Sequence, residues 1–354
     1  AQHLDAVQLQ PPFKTTAQRK RLVTSRAAEN LYWFGRYTER SENALRLAKL
    51  YLESINSEYT PSKQLWGWLE TLCTQYGLVP DGVPSNLDQG ENRHRIFERT
   101  LIDCLDKNSH VTSVGYNLNA MKRTASNIRE RLSTEQWSTI NYCIENFQAA
   151  CHKATGYQDF PPSLAIEALN RANSALAAIT GAQTDRMSRD DGWRLLSIGR
   201  HIERLDFLAH ALATAIETGC LQTQAGFDAV LALFDSTITF HAQYQQSRTL
   251  GAMLELLLTH TDNPRALGWV AQTLRGRLAK MGHLANGATE EMSRKIPVLS
   301  EVDFSSLSAD GLHPSPELLV LLSHCRQTAR SVSDQLNSLF FSHSDEAQRS
   351  VGAS

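Results

Sequence analysis

The sequence predicts an all-α fold, a single large helical body of about ten or more helices. The first observation is that proline, which breaks helix interiors, is absent from long stretches, the longest being the 101 residues from 163 to 263. The second is that apolar residues recur in steps of three and four, the spacing of a helix face. The third is that no run of alternating β-branched residues between hairpin turns requires a sheet.

The predicted helices follow one another along most of the chain. In the first, apolar or small residues share one face: Leu31, Phe34, Thr38, Ser41, Leu45, Ala48, Leu52 and Ile55. The same periodicity predicts helices near 63–76, 91–105, 110–131, 134–153, 163–180, 189–218, 226–247, 264–284 and 316–341.

Several helix starts are marked by capping residues. Three of them pair an N-cap residue with a proline suited to the first helical position: Thr60-Pro61, Asn263-Pro264 and Ser315-Pro316. Ser133 and Gln136 have the spacing of a capping box. Ser188, with two acidic residues after it, is predicted to cap the helix that follows.

Two stretches lack a helical period. Residues 77–90 contain three glycines and two prolines, and residues 285–313 are rich in serine and aspartate. Loops of this length in a compact domain are usually functional or mobile, and the alternative is a plain connector. We expect a mobile loop over 285–313, with both interpretations of its role open.

The composition excludes several classes of protein. The 354 residues carry a net charge of −2 and are 42% hydrophobic, enough for a core and too much for a disordered chain. A near-neutral chain has no global field to gather nucleic acid, and no apolar run approaches the roughly 18 residues of a membrane span. We therefore expect a soluble protein with neither a nucleic-acid nor a membrane partner.

The cysteines and the N-terminus lead to further expectations. None of the six cysteines forms a C-x-x-C pair, so we expect buried free thiols in a reducing, cytoplasmic environment and no metal site. Residues 1–22 are interpreted as an extension or linker without an apolar signal segment. Because the chain begins at Ala1 rather than Met, processing or excision from a longer chain is allowed.

Two similar segments indicate an internal duplication. Gly-Arg-Tyr-Thr-Glu-Arg begins at Gly35, and Gly-Arg-His-Ile-Glu-Arg begins at Gly199, an offset of 164. A second pair, 113–116 and 266–269, follows in the same order at an offset of 153. Repeats this long imply two half-domains, so we predict halves of about 23–160 and 161–342 related by a pseudo-two-fold axis.

The repeated segments carry charged stripes. In the first stripe, steps of three or four residues join Arg36, Glu39, Arg40, Asn43 and Arg46, and in the second Arg200, Glu203 and Arg204 repeat its first three members. Charges beside an apolar face are seldom tolerated unless they are paired. One interpretation is therefore structural, with reciprocal Arg–Glu bridges between the two helices. The other is a site in which arginine forks hold a carboxylate or phosphate and glutamate orients them.

The second interpretation gives the candidate site. The predicted substrate-binding residues are Arg36, Arg40, Asn43, Arg46, Arg200 and Arg204, and the predicted catalytic residues are Glu39 and Glu203. Phe207 and His210 stand where the first stripe has Asn43 and Arg46, so we expect the first half to be the ligand side. Phosphate-binding loops, serine-hydrolase elbows and zinc-protease motifs are absent from the sequence.

The charged segments resemble the alpha-E family, bacterial helical domains named for a Glu-Arg motif. The segment 25–43 is similar to the opening signature of that family, and 187–193 with 199–204 is similar to its second block. Asn263-Pro-Arg265 resembles the third block and 113–137 the intervening helix pair, so the resemblance runs from about 23 to 340. It implies one alpha-E-like helical domain over 23–354.

The resemblance also implies a function. Alpha-E proteins occur beside, or fused to, circularly permuted ATP-grasp proteins, which join a carboxylate to an amine through an acyl-phosphate. The implied role is an accessory subunit or second domain of an amide-bond-forming ligase that shapes a site for an amino acid, amine or peptide. ATP and magnesium are then expected in the partner, with no cofactor in this chain. The alternatives are a non-catalytic scaffold, and an independent hydrolase or transferase with a motif glutamate as base.

Overall fold

A computed structural model describes residues 23–57, 62–83, 92–106, 112–155, 161–245, 247–303, 307 and 314–341. These residues form thirteen α-helices and no β-strand, which confirms the predicted all-α fold. The helices are α1 (Ser25–Ile55), α2 (Lys63–Gln75), α3 (Asn92–Cys104), α4 (Val114–Ser126), α5 (Thr134–Thr155), α6 (Pro162–Asp185), α7 (Asp191–Glu217), α8 (Gln224–Leu233), α9 (Thr237–Tyr244), α10 (Leu250–Leu254), α11 (Leu267–Ala279), α12 (Ala288–Lys295) and α13 (Pro316–Phe340).

Helices α1 and α7 form the centre of the molecule and pack against each other. Helices α4 and α6 lie on α1, α11 and α13 lie on α7, and α5 packs on α6. Because neighbours surround α1, even its polar residues Thr38, Glu39 and Ser41 are inaccessible to solvent. A charge in such a position must be paired. The packing of α1 and α7 therefore determines which side chains of the charged motifs form ion pairs.

Two glycines allow the backbones of α1 and α7 to touch. A Cβ atom on Gly35 would lie 2.1 Å from the carbonyl oxygen of Leu196, and one on Gly199 would lie 2.3 Å from that of Tyr32. Each glycine thus faces the carbonyl three residues before the other, a reciprocal contact that no larger residue permits. The contact agrees with a local two-fold relation, while a duplication of the whole chain stays a prediction.

The predicted capping box is confirmed at the start of α5. The backbone N–H of Ser133 donates to Gln136 Oε1 at 2.8 Å, and the N–H of Gln136 donates to Ser133 Oγ at 3.1 Å. The Ser315-Pro316 start is also confirmed, with Pro316 as the first residue of α13. Thr60-Pro61 lies outside the described residues, and Ser62 caps α2.

Two other predicted starts are wrong. The side chain of Asn263 accepts a hydrogen bond from the N–H of Arg265 at 3.1 Å, which makes a turn instead of a helix cap, and α11 begins only at Leu267. Asp190 caps α7 in place of Ser188, because its carboxylate accepts from the N–H of Trp193 at 2.9 Å.

Some predicted spans also differ from the structure. The helix predicted over 226–247 is broken between α8 and α9, where Asp235 adopts a left-handed φ of 52°. The segment predicted as a mobile loop over 285–313 contains α12, whose buried Met292 anchors it to the core. Helix α10, which leads into a π-helical turn over Glu255–Thr259, was not predicted.

The remaining expectations concern loops and termini. Residues 77–83 form turns with positive φ at Gly77 and Gly82, as the absence of a helical period predicts, while 84–91 lie outside the described residues. The predicted extension over 1–22 also lies outside them. All six cysteines are buried free thiols, as predicted. None of the described helices has the length and apolar character needed to cross a bilayer.

Candidate functional site

Reciprocal ion pairs join α1 and α7 beside the glycine contact. Glu39 of α1 accepts two hydrogen bonds from Arg204 of α7, at 2.6 and 2.8 Å. Glu203 of α7 lies 2.6 Å from Arg36 Nε and 2.9 Å from Arg40 Nε of α1. Each carboxylate therefore takes its arginines from the other helix, which is the reciprocal arrangement that the structural interpretation predicts.

The pairs around Glu39 form a closed network, which we call the Glu39 cluster: Glu39, Glu42, Arg46, Arg204, Arg265 and Asp235. Arg265 Nη1 lies 3.4 Å from Glu39 Oε1, and Arg265 Nη2 donates to Glu42. Arg46 joins the cluster to Asp235 at 2.8 Å. Because the side chain of Glu39 has no exposed surface, the centre of this cluster is part of the core, while Asp235 lies at its exposed edge.

The charges of the Glu39 cluster hold its carboxylates ionised. Burial alone would raise the pKa of Glu39, but the guanidinium groups of Arg204 and Arg265 outweigh burial and lower the pKa to about 2. The pKa of Glu42 is lowered as well, since Arg265 offsets both its burial and the repulsion from Glu39. Glu39 is thus a poor general base, because protonating it would break the network.

Glu203 has a different setting, on the wall of an open cavity of about 560 Å³ that we call the Glu203 cavity. Residues with charged side chains line it: Arg36, Arg40, Asp81, Glu203, Asp206, Arg330 and Asp334. Uncharged polar residues also line it: Asn43, Thr74, Gln75, Tyr76, Thr112, Asn117 and Ser333. The cavity therefore offers both signs of charge to one ligand.

The two arginines that hold Glu203 differ in freedom. Arg36 is fixed, because its Nη1 also contacts the hydroxyls of Tyr32 at 2.9 Å and Ser333 at 2.7 Å. The side chain of Arg40 is 34% exposed, and its guanidinium lies 5.6 Å from the ring centroid of Tyr37. Arg40 therefore keeps donor groups that can reach an anionic ligand group.

Other polar groups in the Glu203 cavity have no partner within the described residues. Asp81 and Asp334 make no ion pair there, and the hydroxyl of Tyr76 and the amide oxygen of Asn43 are buried without a hydrogen bond. Burial raises the pKa of Tyr76 well above its usual value, so this hydroxyl keeps its proton. Buried polar groups without partners are rare, which makes these groups candidates for ligand contacts.

The structure divides the predicted first stripe. Arg36, Arg40 and Asn43 line the Glu203 cavity, whereas Glu39 and Arg46 belong to the Glu39 cluster. The prediction of one polar stripe is wrong, because several helices pack around α1 and its polar residues face different neighbours. The prediction that the ligand side belongs to the first half alone is therefore incomplete. Helix α1 contributes arginines to the cavity, and α7 contributes Glu203.

Phe207 and His210 of α7 are the residues that match Asn43 and Arg46 of the first stripe. Phe207 lines the Glu203 cavity and contributes no polar group. His210 contacts Gln75, and its partial burial, together with Arg326 and Arg330, lowers the pKa of His210 to about 4. His210 is therefore uncharged at neutral pH and cannot replace the charge of an arginine.

Arg200 and Arg204 line a second cavity, which shares no lining residue with the first. We call this space of about 410 Å³ the Arg200 cavity. It lies between α6, α7 and α11, and Trp193 and Trp269 contribute aromatic walls. The two substrate-binding predictions on α7 thus fall in a different place from those on α1.

Sequence reasoning missed several residues of these sites. Arg330 and Asp334 lie on α13, where no motif marks them, and only the packing of α13 on α7 brings them to Glu203. Asp81 lies in the 77–90 segment, whose lack of helical period was a signal. Arg265 closes the Glu39 cluster and belongs to the Asn263-Pro-Arg265 segment, so the resemblance pointed to it.

Comparisons with known proteins agree with the motif. The sequence model of the Alpha-E family, described as a predicted alpha-helical domain with a conserved ER motif, matches residues 23–341. Uncharacterized protein Rv2567 of Mycobacterium tuberculosis and Uncharacterized protein Mb2597 of Mycobacterium bovis are each 25% identical to this chain over 347 residues. The match covers 93% of this chain but 38% of each relative, so the chain spans about two fifths of their length. No solved structure matches.

Proposed function

The chain belongs to the alpha-E family, and from that premise we propose that it is an accessory domain of an ATP-grasp-type amide-bond-forming ligase. Its part is to hold an amino acid, or the end of a peptide, in the Glu203 cavity. The observation that carries this proposal is the presence of both signs of charge in one cavity of about 560 Å³, where Asp81 and Asp334 have no ion-pair partner among the described residues and Arg40, though paired with Glu203, is a third exposed. The greater length of the matched relatives leaves room in them for a second domain.

The cavity matches the two ends of a zwitterion. Arg40 is the donor for the substrate carboxylate, because Arg36 is already fixed by Tyr32 and Ser333. Asp334 and Asp81 are the acceptors for the ammonium group, since neither has an ion-pair partner within the described residues. In this proposal Glu203 is a positioning residue that orients both arginines.

In amide formation, the task proposed for this chain is to accept a proton from the substrate nitrogen. The bound ammonium group must first lose a proton to a nearby base to become a nucleophilic amine. The amine then attacks the activated carboxyl group, the phosphate leaves, and the nitrogen loses its second proton to water or to the departing phosphate. Asp334 is the candidate proton acceptor here, because Glu203 is engaged by two arginines. In this proposal the ATP-grasp partner binds the nucleotide and magnesium.

The test is co-purification followed by turnover. The chain is co-expressed with a circularly permuted ATP-grasp protein from the same genome, and ATP turnover is measured over a panel of amino acids and amines. We expect turnover that needs both chains, with kcat/KM reduced about tenfold or more by Arg40→Gln and by Asp334→Asn. Arg95→Gln is the matched control, because Arg95 is exposed, pairs with Glu98 and does not line the cavity.

Two results would overturn the proposal in different ways. Turnover by this chain alone would make it an independent enzyme. Absence of both association and turnover would favour the scaffold alternative, which has its own supporting observation in the Glu39 cluster. A network centred on a fully buried glutamate fixes the register of two helices whether or not a ligand binds.

A further inference from the structure

The Arg200 cavity is rich in positive charge. Four arginines line it: Arg200, Arg204, Arg265 and Arg277. No acidic side chain is among the described residues of its wall. Glu39 and Glu42 lie behind Arg204 and Arg265 and pair with these two arginines.

Arg200 is buried, and its Nε has no hydrogen-bond partner within the described residues. Only 8% of the residue is exposed, yet it makes no hydrogen bond within the described part of the chain. The nearest carboxylate oxygen, Glu39 Oε2, lies 3.7 Å from its Nε, because Arg204 already occupies both oxygens of Glu39. A buried guanidinium without a hydrogen bond is unfavourable, which calls for a partner that the chain itself does not supply.

The electrostatics of the neighbouring groups agree with this shortage of negative charge. Burial lowers the pKa of Arg200 to about 10 in spite of Glu39, and Arg204 adds to the lowering. Burial, together with Arg189 and Arg194, also lowers the pKa of Arg277. Both groups stay protonated at neutral pH, so the cavity is cationic.

Aromatic and hydroxyl groups complete the walls. The guanidinium of Arg277 lies 4.6 Å from the ring centroid of Trp193, and its Nε donates to Ser197 Oγ at 3.3 Å. The hydroxyl of Thr180 is buried without a hydrogen bond. These groups offer a flat apolar surface beside the cationic one.

We infer that the Arg200 cavity binds a small molecule through a phosphoryl or carboxylate group held by Arg200 and Arg277. This inference goes beyond the proposed function, since it concerns a different cavity, which shares no lining residue with the Glu203 cavity. An oxyanion at this position supplies the acceptor that Arg200 lacks, and charge-assisted hydrogen bonds of this kind are the strong ones.

The test uses the whole chain without any partner. Inorganic phosphate and, separately, acetate are titrated at constant ionic strength, and binding is measured by calorimetry and by tryptophan emission, to which Trp193 and Trp269 report. We expect saturable binding of at least one anion, with a Kd of about 1 mM or tighter. Arg200→Gln and Arg277→Gln should each weaken it about tenfold or more, and exposed Arg294→Gln should not.

The outcomes separate the sources of the anion. Binding of phosphate but not acetate identifies a phosphoryl group, and the reverse identifies a carboxylate. Absence of saturable binding by both, or binding that Arg277→Gln leaves unchanged, would overturn the inference. Arg277 makes no ion pair within the described residues, so its variant keeps the test valid if Arg200→Gln does not fold. Neither result depends on ligase activity, so it stands apart from the proposed function.

Discussion

The carboxylates of Glu39 and Glu203 stand in similar sequence segments and beside the same helix contact, yet their surroundings differ. Glu39 has no exposed surface and is enclosed by Arg204, Arg265 and the rest of the Glu39 cluster. Glu203 is bound by Arg36 and Arg40 on the wall of a cavity of about 560 Å³. The motif alone therefore does not decide between a structural and a ligand-binding role.

The difference comes from what packs over each pair. Above Glu39, the segment after Asn263 brings Arg265 into contact with both Glu39 and Glu42 and closes the network. Beside Glu203, α13 contributes the hydroxyl of Ser333 but leaves space in front of Arg40. The additional arginine, Arg265, thus covers Glu39, whereas Glu203 stays on the wall of an open cavity.

The largest expected effect is that of Glu39→Gln. Removing the charge leaves Arg204 and Arg265 without compensation in the core, and breaking one side of a buried pair costs about 3–5 kcal/mol. Glu203→Gln should cost less, about 1–3 kcal/mol, because water in the cavity can solvate Arg36 and Arg40. Urea unfolding of both variants measures the difference, and equal, large losses would contradict the comparison.

Acid should destabilise the protein by protonating Glu39 and breaking the ion pairs of the Glu39 cluster. The pKa of Glu39 is about 2 in the folded protein and 4.5 in its unperturbed state, so its contribution is complete above pH 4.5 and is lost as the pH falls toward 2. The lowering corresponds to roughly 3 kcal/mol. The free energy of unfolding, measured across this range, should fall less steeply for Glu39→Gln than for the wild type. Parallel profiles would show that Glu39 does not titrate as described.

The contact between Gly35 and Gly199 holds α1 and α7 together, so both the Glu39 cluster and the pairs of Glu203 depend on it. A methyl group at Gly35 or Gly199 would meet a backbone carbonyl, so alanine there should destabilise the protein by about 1–3 kcal/mol. Gly276→Ala is the matched control, because this helical glycine has open space around it and alanine favours helix by up to about 1 kcal/mol. Thermal unfolding of the three variants tests this, and a neutral Gly35→Ala would mean that the helices do not touch as described.

The smallest expected effect on stability is that of Arg40→Lys. Its side chain is a third exposed and its pair with Glu203 is partly screened, so the change should cost less than about 1 kcal/mol. Lysine keeps the charge but loses the planar fork, so binding of a substrate carboxylate should weaken more than stability does. A stability loss as large as that of Glu39→Gln would assign Arg40 to the core.

Much of the fold could be predicted from local signals. The absence of proline from 163–263 and the capping box at Ser133 marked helices that the structure contains. The errors arose where tertiary contacts override local pattern. Asp235 takes a left-handed conformation that interrupts a predicted helix, and Met292 is buried by the core although α12 has few apolar residues.

The candidate site was predicted less completely. The arginines and glutamates of the two charged segments were identified, and each lies in a cluster or on a cavity wall. Their grouping was not predicted, because residues on one buried helix face several neighbours at once. Asp334, on a helix far along the chain without a recognisable motif, could be found only in the structure.

The sequence by itself determined most of the helices, the family and the presence of two charged motifs, because helix periodicity, caps and short motifs are local properties of the chain. Only the tertiary structure decided which carboxylate is sealed and which is open. That difference depends on Arg265, Ser333 and Asp334. Each of them lies more than 60 residues along the chain from both motifs. Burial and the pairing of charges arise when distant segments pack together, so their energies belong to contacts that no single segment contains.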